Sequence, residues 1–164
     1  MAGERELARR ETSDEHRRPM PSFELERRIS APVNVVWEVL SDHRGYARWA
    51  GVDKAILERE GVGDPNGVGA VRDLRKGPIS IREEVVACEP QKSFSYTVVS
   101  GPPVRDYLGV VTLKADGEAT HVHWTVRFEP KVPLTGRVIL PIVRKVISDL
   151  LALATRESEQ RARR

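Results

Sequence analysis

Arginine, glutamate and tyrosine recur in this 164-residue sequence on strand-like segments, at positions that a two-residue period sends to one face. Arg72 alternates with Ala70 and Leu74, and Arg27 and Arg105 take equivalent places on their own segments. In ISIREEVVACEP, Arg82 and Glu84 share a face with Val86 and Cys88, while Ile79, Ile81, Glu83 and Val85 share the other. Apolar residues favour one face at the start of this segment and the opposite face at its end, as a bulge would cause, so its register stays open. An inward arginine beside apolar surface suits a ligand's carboxylate or phenolate, or polarises a carbonyl. Tyr96, Tyr107 and Trp124 pair an apolar body with a polar tip, and Glu84, Tyr96 or Tyr107 could move a proton. The bland alternative for each charge is a solvated edge, because unpaired charge is costly to bury.

Other chemistries find less support. His121 and His123 flank Val122 and Trp124 on what alternation makes the outer face, without a third ligand placed to join them, so no metal is expected. His43 is read as serving the start of a short helix, and His16 lies in the N-terminal tail. Cys88, the single cysteine, excludes an internal disulfide and is read as a structural thiol. The sequence contains no GxSxG. GVGDPNGVGA leads into a strand rather than a helix, which disfavours a phosphate cradle, and no cofactor is expected.

The elements that must position these residues follow from periodicity. Residues 1–21 carry five arginines against five acids and end in PMP, so a disordered or loosely helical tail is expected. A domain over 22–160 follows, with a basic end at 161–164. Phe23, Leu25 and Ile29 mark a first strand. Pro32 then starts a helix with Val33, Val36, Trp37 and Leu40 on one stripe, and Ser41 or Asp42 caps a second short helix, HRGYARWA. Strands are expected at 52–59, 68–75, 79–88, 92–100, 105–115 and 119–129, separated by turn-forming clusters, which implies an antiparallel meander. A long helix from about Leu134 to Glu159 closes the chain, kinked or started by Pro141, with Ile139, Ile142, Val143, Val146, Ile147, Leu150 and Leu153 on its apolar side. A bent seven-stranded sheet wrapped around that helix leaves room for a pocket.

Composition bounds the rest. The length suits one domain, and 40% hydrophobic with 31% charged residues places the chain among globular proteins. The net charge of +3 sits largely in the tails, which gives no nucleic-acid footprint. No apolar run approaches the roughly 18 residues of a membrane span, and the N-terminus lacks a signal peptide's apolar segment, so a cytoplasmic protein is expected. Only six of the 27 basic residues are lysine, a bias that suggests a GC-rich bacterial genome.

The segments APVNVVWEVLSDHRGYARWAGV, GVGAVRDLR, VVACEP, SFSYTVVSGPP and GEATHVHWTV resemble the bacterial polyketide cyclase/dehydrase and lipid-transport family of the START-like (SRPBCC) superfamily. The resemblance covers about residues 23–155 and implies an α+β helix-grip fold with a hydrophobic cavity between sheet and C-terminal helix. Such cavities bind lipids, hormones or polyketides in different members, and serve a few as an aromatase or cyclase site. The expected lining is Tyr46, Trp49, Arg72, Tyr96, Tyr107, Val111 and Trp124, with Ile139, Val143, Val146, Ile147 and Leu150 from the helix.

Two readings follow. The preferred one is a binding module that holds a hydrophobic small molecule, such as a lipid, polyketide or aromatic metabolite, as monomer or homodimer. The alternative is an aromatase/cyclase or dehydratase acting on a poly-β-keto chain through Arg72, Arg82, Glu84 and Tyr96. A dry aliphatic cavity would argue for carriage, and an arginine with tyrosine or glutamate at its bottom for chemistry.

Overall fold

The computed structural model describes residues 19–164, so all but the end of the expected tail lies outside the described residues. The chain forms β1 (Ser22–Ile29), α1 (Val33–Ser41), α2 (Tyr46–Trp49), β2 (Lys54–Arg59), β3 (Val71–Lys76), β4 (Ile79–Glu89), β5 (Ser93–Ser100), β6 (Val104–Asp116), β7 (Ala119–Pro130) and α3 (Gly136–Ala162). All seven strands join one antiparallel sheet in the order β1-β7-β6-β5-β4-β3-β2. The first and second strands are thus the two edges. The α1–α2 segment carries the chain between them, a span of roughly 29 Å at the usual strand spacing.

The α1 helix begins after Pro32, whose missing N–H is no loss at a helix start. It buries Val36, Val39 and Leu40, while Val33 and Trp37 are half-buried, so the stripe is turned by one residue from Val33, Val36, Trp37 and Leu40. Trp37 meets Phe94 edge-on at 5.9 Å between ring centres. The second helix shrinks to a single turn, Tyr46–Trp49. Asp42 Oδ1 accepts from the Gly45 N–H ahead of it, and Gly51, at φ 69°, reverses the chain after it.

The 27-residue α3 runs through Pro141 for about 40 Å. Ile147, Leu151, Ala154 and Ser158 form its buried stripe, packed chiefly on α1, β1 and β7. The inner face of the sheet is read from its register. Phe94 stands opposite Val111, which faces Trp124, and Tyr96 stands opposite Gly109, which faces Val126. Gly109 is required here, because a Cβ at this position would overlap the Tyr96 ring. Gly109→Ala is expected to cost about 2 kcal/mol through overpacking, seen as a fall in Tm of roughly 5 °C. An unchanged Tm would mean that Tyr96 does not lie over Gly109.

Candidate functional site

Strand register builds the polar centre. On β3 and β4, Arg72 pairs directly with Glu83, so both side chains rise from the same face of neighbouring strands. Arg72 Nε and Nη2 donate to the same Glu83 oxygen, at 2.7 and 2.6 Å. Nη1 donates to His43 Nδ1 at 3.1 Å. The guanidinium also stacks over two phenol rings, 4.6 Å from the centre of Tyr46 and 5.4 Å from that of Tyr96. It is only 3% exposed. Burial, the largest single influence, lowers its pKa, but the Glu83 charge together with Tyr46 and Tyr96 outweighs burial and raises it, so the cation is permanent.

His43 is fixed by both ring nitrogens. Because Arg72 can only donate, Nδ1 must accept, which leaves the proton on Nε2 to be donated to the Asn66 carbonyl at 3.1 Å. The His43 N–H donates to Asn66 Oδ1. Burial, then the Arg72 charge, push the imidazole from 6.5 down to about 3, so it is neutral. The β2–β3 loop is thereby tied to the α1–α2 turn directly behind Arg72. Tyr46 donates its hydroxyl to the Leu40 carbonyl at 2.8 Å, and burial raises its pKa.

A second polar line crosses the sheet. Trp124 Nε1 donates to the Tyr96 hydroxyl at 3.1 Å, and the Tyr96 and Tyr107 hydroxyls lie 3.5 Å apart. Burial raises the pKa of both phenols, so both are donors at neutral pH. Tyr46, Tyr96, Val111 and Trp124 are fully covered and pack against neighbours, whereas Tyr107, Trp49 and Glu83 retain slight exposure. Trp49 Nε1 is buried with no partner among the described residues. From α3, Ile147 is buried and Ile139, Val143 and Leu150 are half-buried against the core, but Val146 is exposed.

Several charges predicted to face inward do not. Arg82 pairs with Glu58, and Glu84 with Arg59, on the outer side of the sheet, and Val86 is exposed with them. The cause is the irregularity between Val85 and Ala87: Glu83 and Val85 point inward before it, and Cys88 packs on the core after it. Burial raises the Cys88 thiol pKa, so it is not an activated nucleophile. Arg105 is turned out by an irregularity between Arg105 and Leu108, where Asp106 takes φ 49°, and pairs with Glu129. Arg27 is exposed on the β1 edge. His121 and His123 meet Asp116 and Glu24 at the surface, and no metal-holding group of side chains occurs among the described residues. Glu83, His43 and Asn66 are the members that sequence reasoning missed.

The model of the family described as polyketide cyclase/dehydrase and lipid transport matches residues 20–162. The chain belongs to that family. Among solved structures, the Zhui aromatase/cyclase from Streptomyces sp. R1128 is similar at 22% identity and TM-score 0.74, over 87% of this chain and 96% of that one. A START superfamily protein from Mycobacterium smegmatis is similar at 15% identity and TM-score 0.66, over 87% of this chain and 97% of that one. Norcoclaurine synthase from Thalictrum flavum shares 14% identity at TM-score 0.67, over 84% of this chain and 86% of that one. At these identities the likeness shows the helix-grip fold and nothing finer. No curated protein matches the chain. No helix among the described residues is long and apolar enough to cross a membrane.

Two stability predictions follow from the site. Glu83→Gln leaves the buried guanidinium without its counter-charge and should cost about 3 kcal/mol or more in chemical denaturation. Replacing both partners by apolar residues, Arg72→Met with Glu83→Leu, should recover most of that loss, and a double variant no better than Glu83→Gln would contradict the pairing. His43 has a depressed folded pKa, so below 6.5 the unfolded chain takes up a proton that the folded chain refuses. Its contribution is fully present above pH 6.5 and is lost as pH falls towards 3, at roughly 1 kcal/mol per unit. Urea titrations at pH 7 and 5 should show this slope shrinking in His43→Gln.

Proposed function

We propose that the protein binds an apolar small molecule carrying at least one oxygen acceptor, a lipid, polyketide or aromatic metabolite, in the space between α3 and the inner face of the sheet. The observation that carries this reading is the placement of α3. It packs chiefly on α1, β1 and β7, while Glu83 and Tyr107, which keep a slight exposure, rise from β4 and β6. Ile139, Val143 and Leu150 of the helix are half-buried against the core, and Val98 of β5 stands opposite Glu83. Aliphatic walls with a few oriented polar tips are the usual make-up of a small-molecule site.

The donors support an oxygen-bearing ligand. Trp124 can only donate, so its hydrogen bond occupies one lone pair of the Tyr96 hydroxyl. The Tyr96–Tyr107 contact is long, which leaves Tyr107 free to turn its proton towards a ligand oxygen. Trp49 Nε1 is a second buried donor awaiting an acceptor.

Binding is favoured over a cyclase or dehydratase reaction by the state of Arg72. Polarising a carbonyl needs a cation whose field is not already cancelled. Arg72 gives two of its donors to Glu83 and a third to neutral His43, so its field is cancelled at contact distance. The other arginine and glutamate of the catalytic proposal, Arg82 and Glu84, lie on the outer face.

Native mass spectrometry of the purified protein, with extraction of whatever co-purifies, tests the reading. A hydrophobic ligand should co-purify, or a member of a panel of fatty acids, phospholipids and aromatic polyketides should raise Tm. Tyr107→Phe should weaken an oxygen-bearing ligand by about tenfold, near 1.4 kcal/mol, without changing the apo Tm by more than a degree or two. Absence of any bound or stabilising ligand would overturn it.

A further inference from the structure

The two ends of the sheet differ in charge and in what they expose. Lys76 pairs with Ile79, Arg82 with Ser100 and Val104 with Pro130, so the β3–β4 turn, the β5–β6 turn and the β7–α3 connection share one end. The β2–β3, β4–β5 and β6–β7 turns share the other. At the first end Ile79, Val132, Leu134, Val138 and Ile142 are all exposed, Leu134 at 76% and Val138 at 64%. Leu134 has φ 71°, a left-handed conformation unfavourable for leucine, so the local backbone holds its side chain outward against its own preference. Val138 and Ile142 lie one turn apart on α3, off the stripe of Ile147, Leu151 and Ala154 that packs on the core.

Charge follows the same division. Between Pro130 and Asp149 the chain carries Lys131, Arg137, Arg144 and Lys145 and no acid, and Lys76 adds a cation from the β3–β4 turn. The β2–β3 loop at the opposite end carries Glu60 and Asp64 without a cation, and the β6–β7 turn carries Asp116 and Glu118. Lys145 pairs with Asp149 on the surface, a contact weak enough to exchange for another anion. Exposed apolar side chains bordered by cations fit an anionic bilayer surface. A second copy fits less well, because a symmetric contact would set these cations against one another.

We propose that this end of the molecule docks on an anionic lipid bilayer, with Leu134 and Ile142 entering the headgroup region while Lys131, Arg137 and Lys145 meet lipid phosphates. The proposal does not rest on an occupied interior, since vesicle binding and ligand-induced stabilisation are separate readouts. Co-sedimentation of the full chain with phosphatidylcholine vesicles containing about 30% phosphatidylglycerol tests it against phosphatidylcholine alone. Binding is expected only to the anionic vesicles and should fall as salt is raised. Leu134→Asp combined with Ile142→Asp should weaken it at least about tenfold, and Lys131→Glu about fivefold or more. Val62→Asp, at a residue 91% exposed in the β2–β3 loop of the opposite end, should change nothing. All four substituted residues are exposed, so Tm should stay near that of the parent protein. Equal binding to neutral vesicles, no binding at all, indifference to the Leu134 and Ile142 changes, or a solution dimer that those changes split would each overturn the proposal.

Discussion

A buried guanidinium must be held by groups that cannot leave, and much of this fold can be understood as holding Arg72. Its counter-charge comes from the facing position of the next strand, so the β3–β4 register and the Arg72–Glu83 pair depend on each other. A slip of one residue would bring Arg82 or Glu84 to the inner face and send Glu83 to solvent. The outer face reinforces the same register. Asp73, beside Arg72 but on the other side of the sheet, accepts from Arg75 and Ser80, and these bonds hold its pKa down despite its burial.

The same constraint reaches into the loops. Arg72 must be met by a neutral acceptor on the side away from Glu83, and His43 serves only while its outer nitrogen has a carbonyl to donate to. That carbonyl belongs to Asn66, so the glycine-rich β2–β3 loop is shaped by the needs of a histidine more than twenty residues earlier. Tyr46 and Tyr96 then close over the cation with ring faces rather than lone pairs, and each keeps its hydroxyl for another partner. The resulting cluster is fully satisfied around the charge, a condition under which a buried polar network rigidifies a core rather than weakening it.

The fold was legible because alternation, turn residues and the long apolar stripe all work over short range. Strand ends fall within three residues of their predicted places, and the outward face of β7, with His121 and His123, follows from strict alternation. The site was only half legible. Simple counting finds the face of Arg72, Tyr96 and Tyr107, although Tyr107 lies inside the irregular stretch between Arg105 and Leu108 and Tyr96 stands opposite Val85, where the β4–β5 register shifts. Glu83 was hidden because the apolar signal of Val86 and Cys88 spoke for the wrong parity, and the irregularity between Val85 and Ala87 cannot be placed from sequence. Arg105 misled for the same reason, its face reversed at Asp106. His43 and Asn66 are partners through space across two loops, and no local spacing announces such a pair.

Placing a satisfied cation deep in the sheet has a consequence for what the interior can do. An unpaired Arg72 would draw in water or any anion, and the site would select charge before shape. With Glu83 and His43 in place, the polar requirement of Arg72 is met internally, and a guest bound as proposed would meet aliphatic surface with a few weak donors. Such a lining discriminates poorly between apolar guests of similar size, since a methylene more or less is worth only about 1–3 kcal/mol. On the proposed reading, selectivity would come from the placement of the Tyr107 hydroxyl and the Trp49 N–H, because a site built to hydrogen-bond a ligand rejects an analogue lacking that group more strongly than one differing by a methylene. On that reading the inner cluster sets the rigidity of the floor, and recognition would fall to the two donors that the cluster does not use.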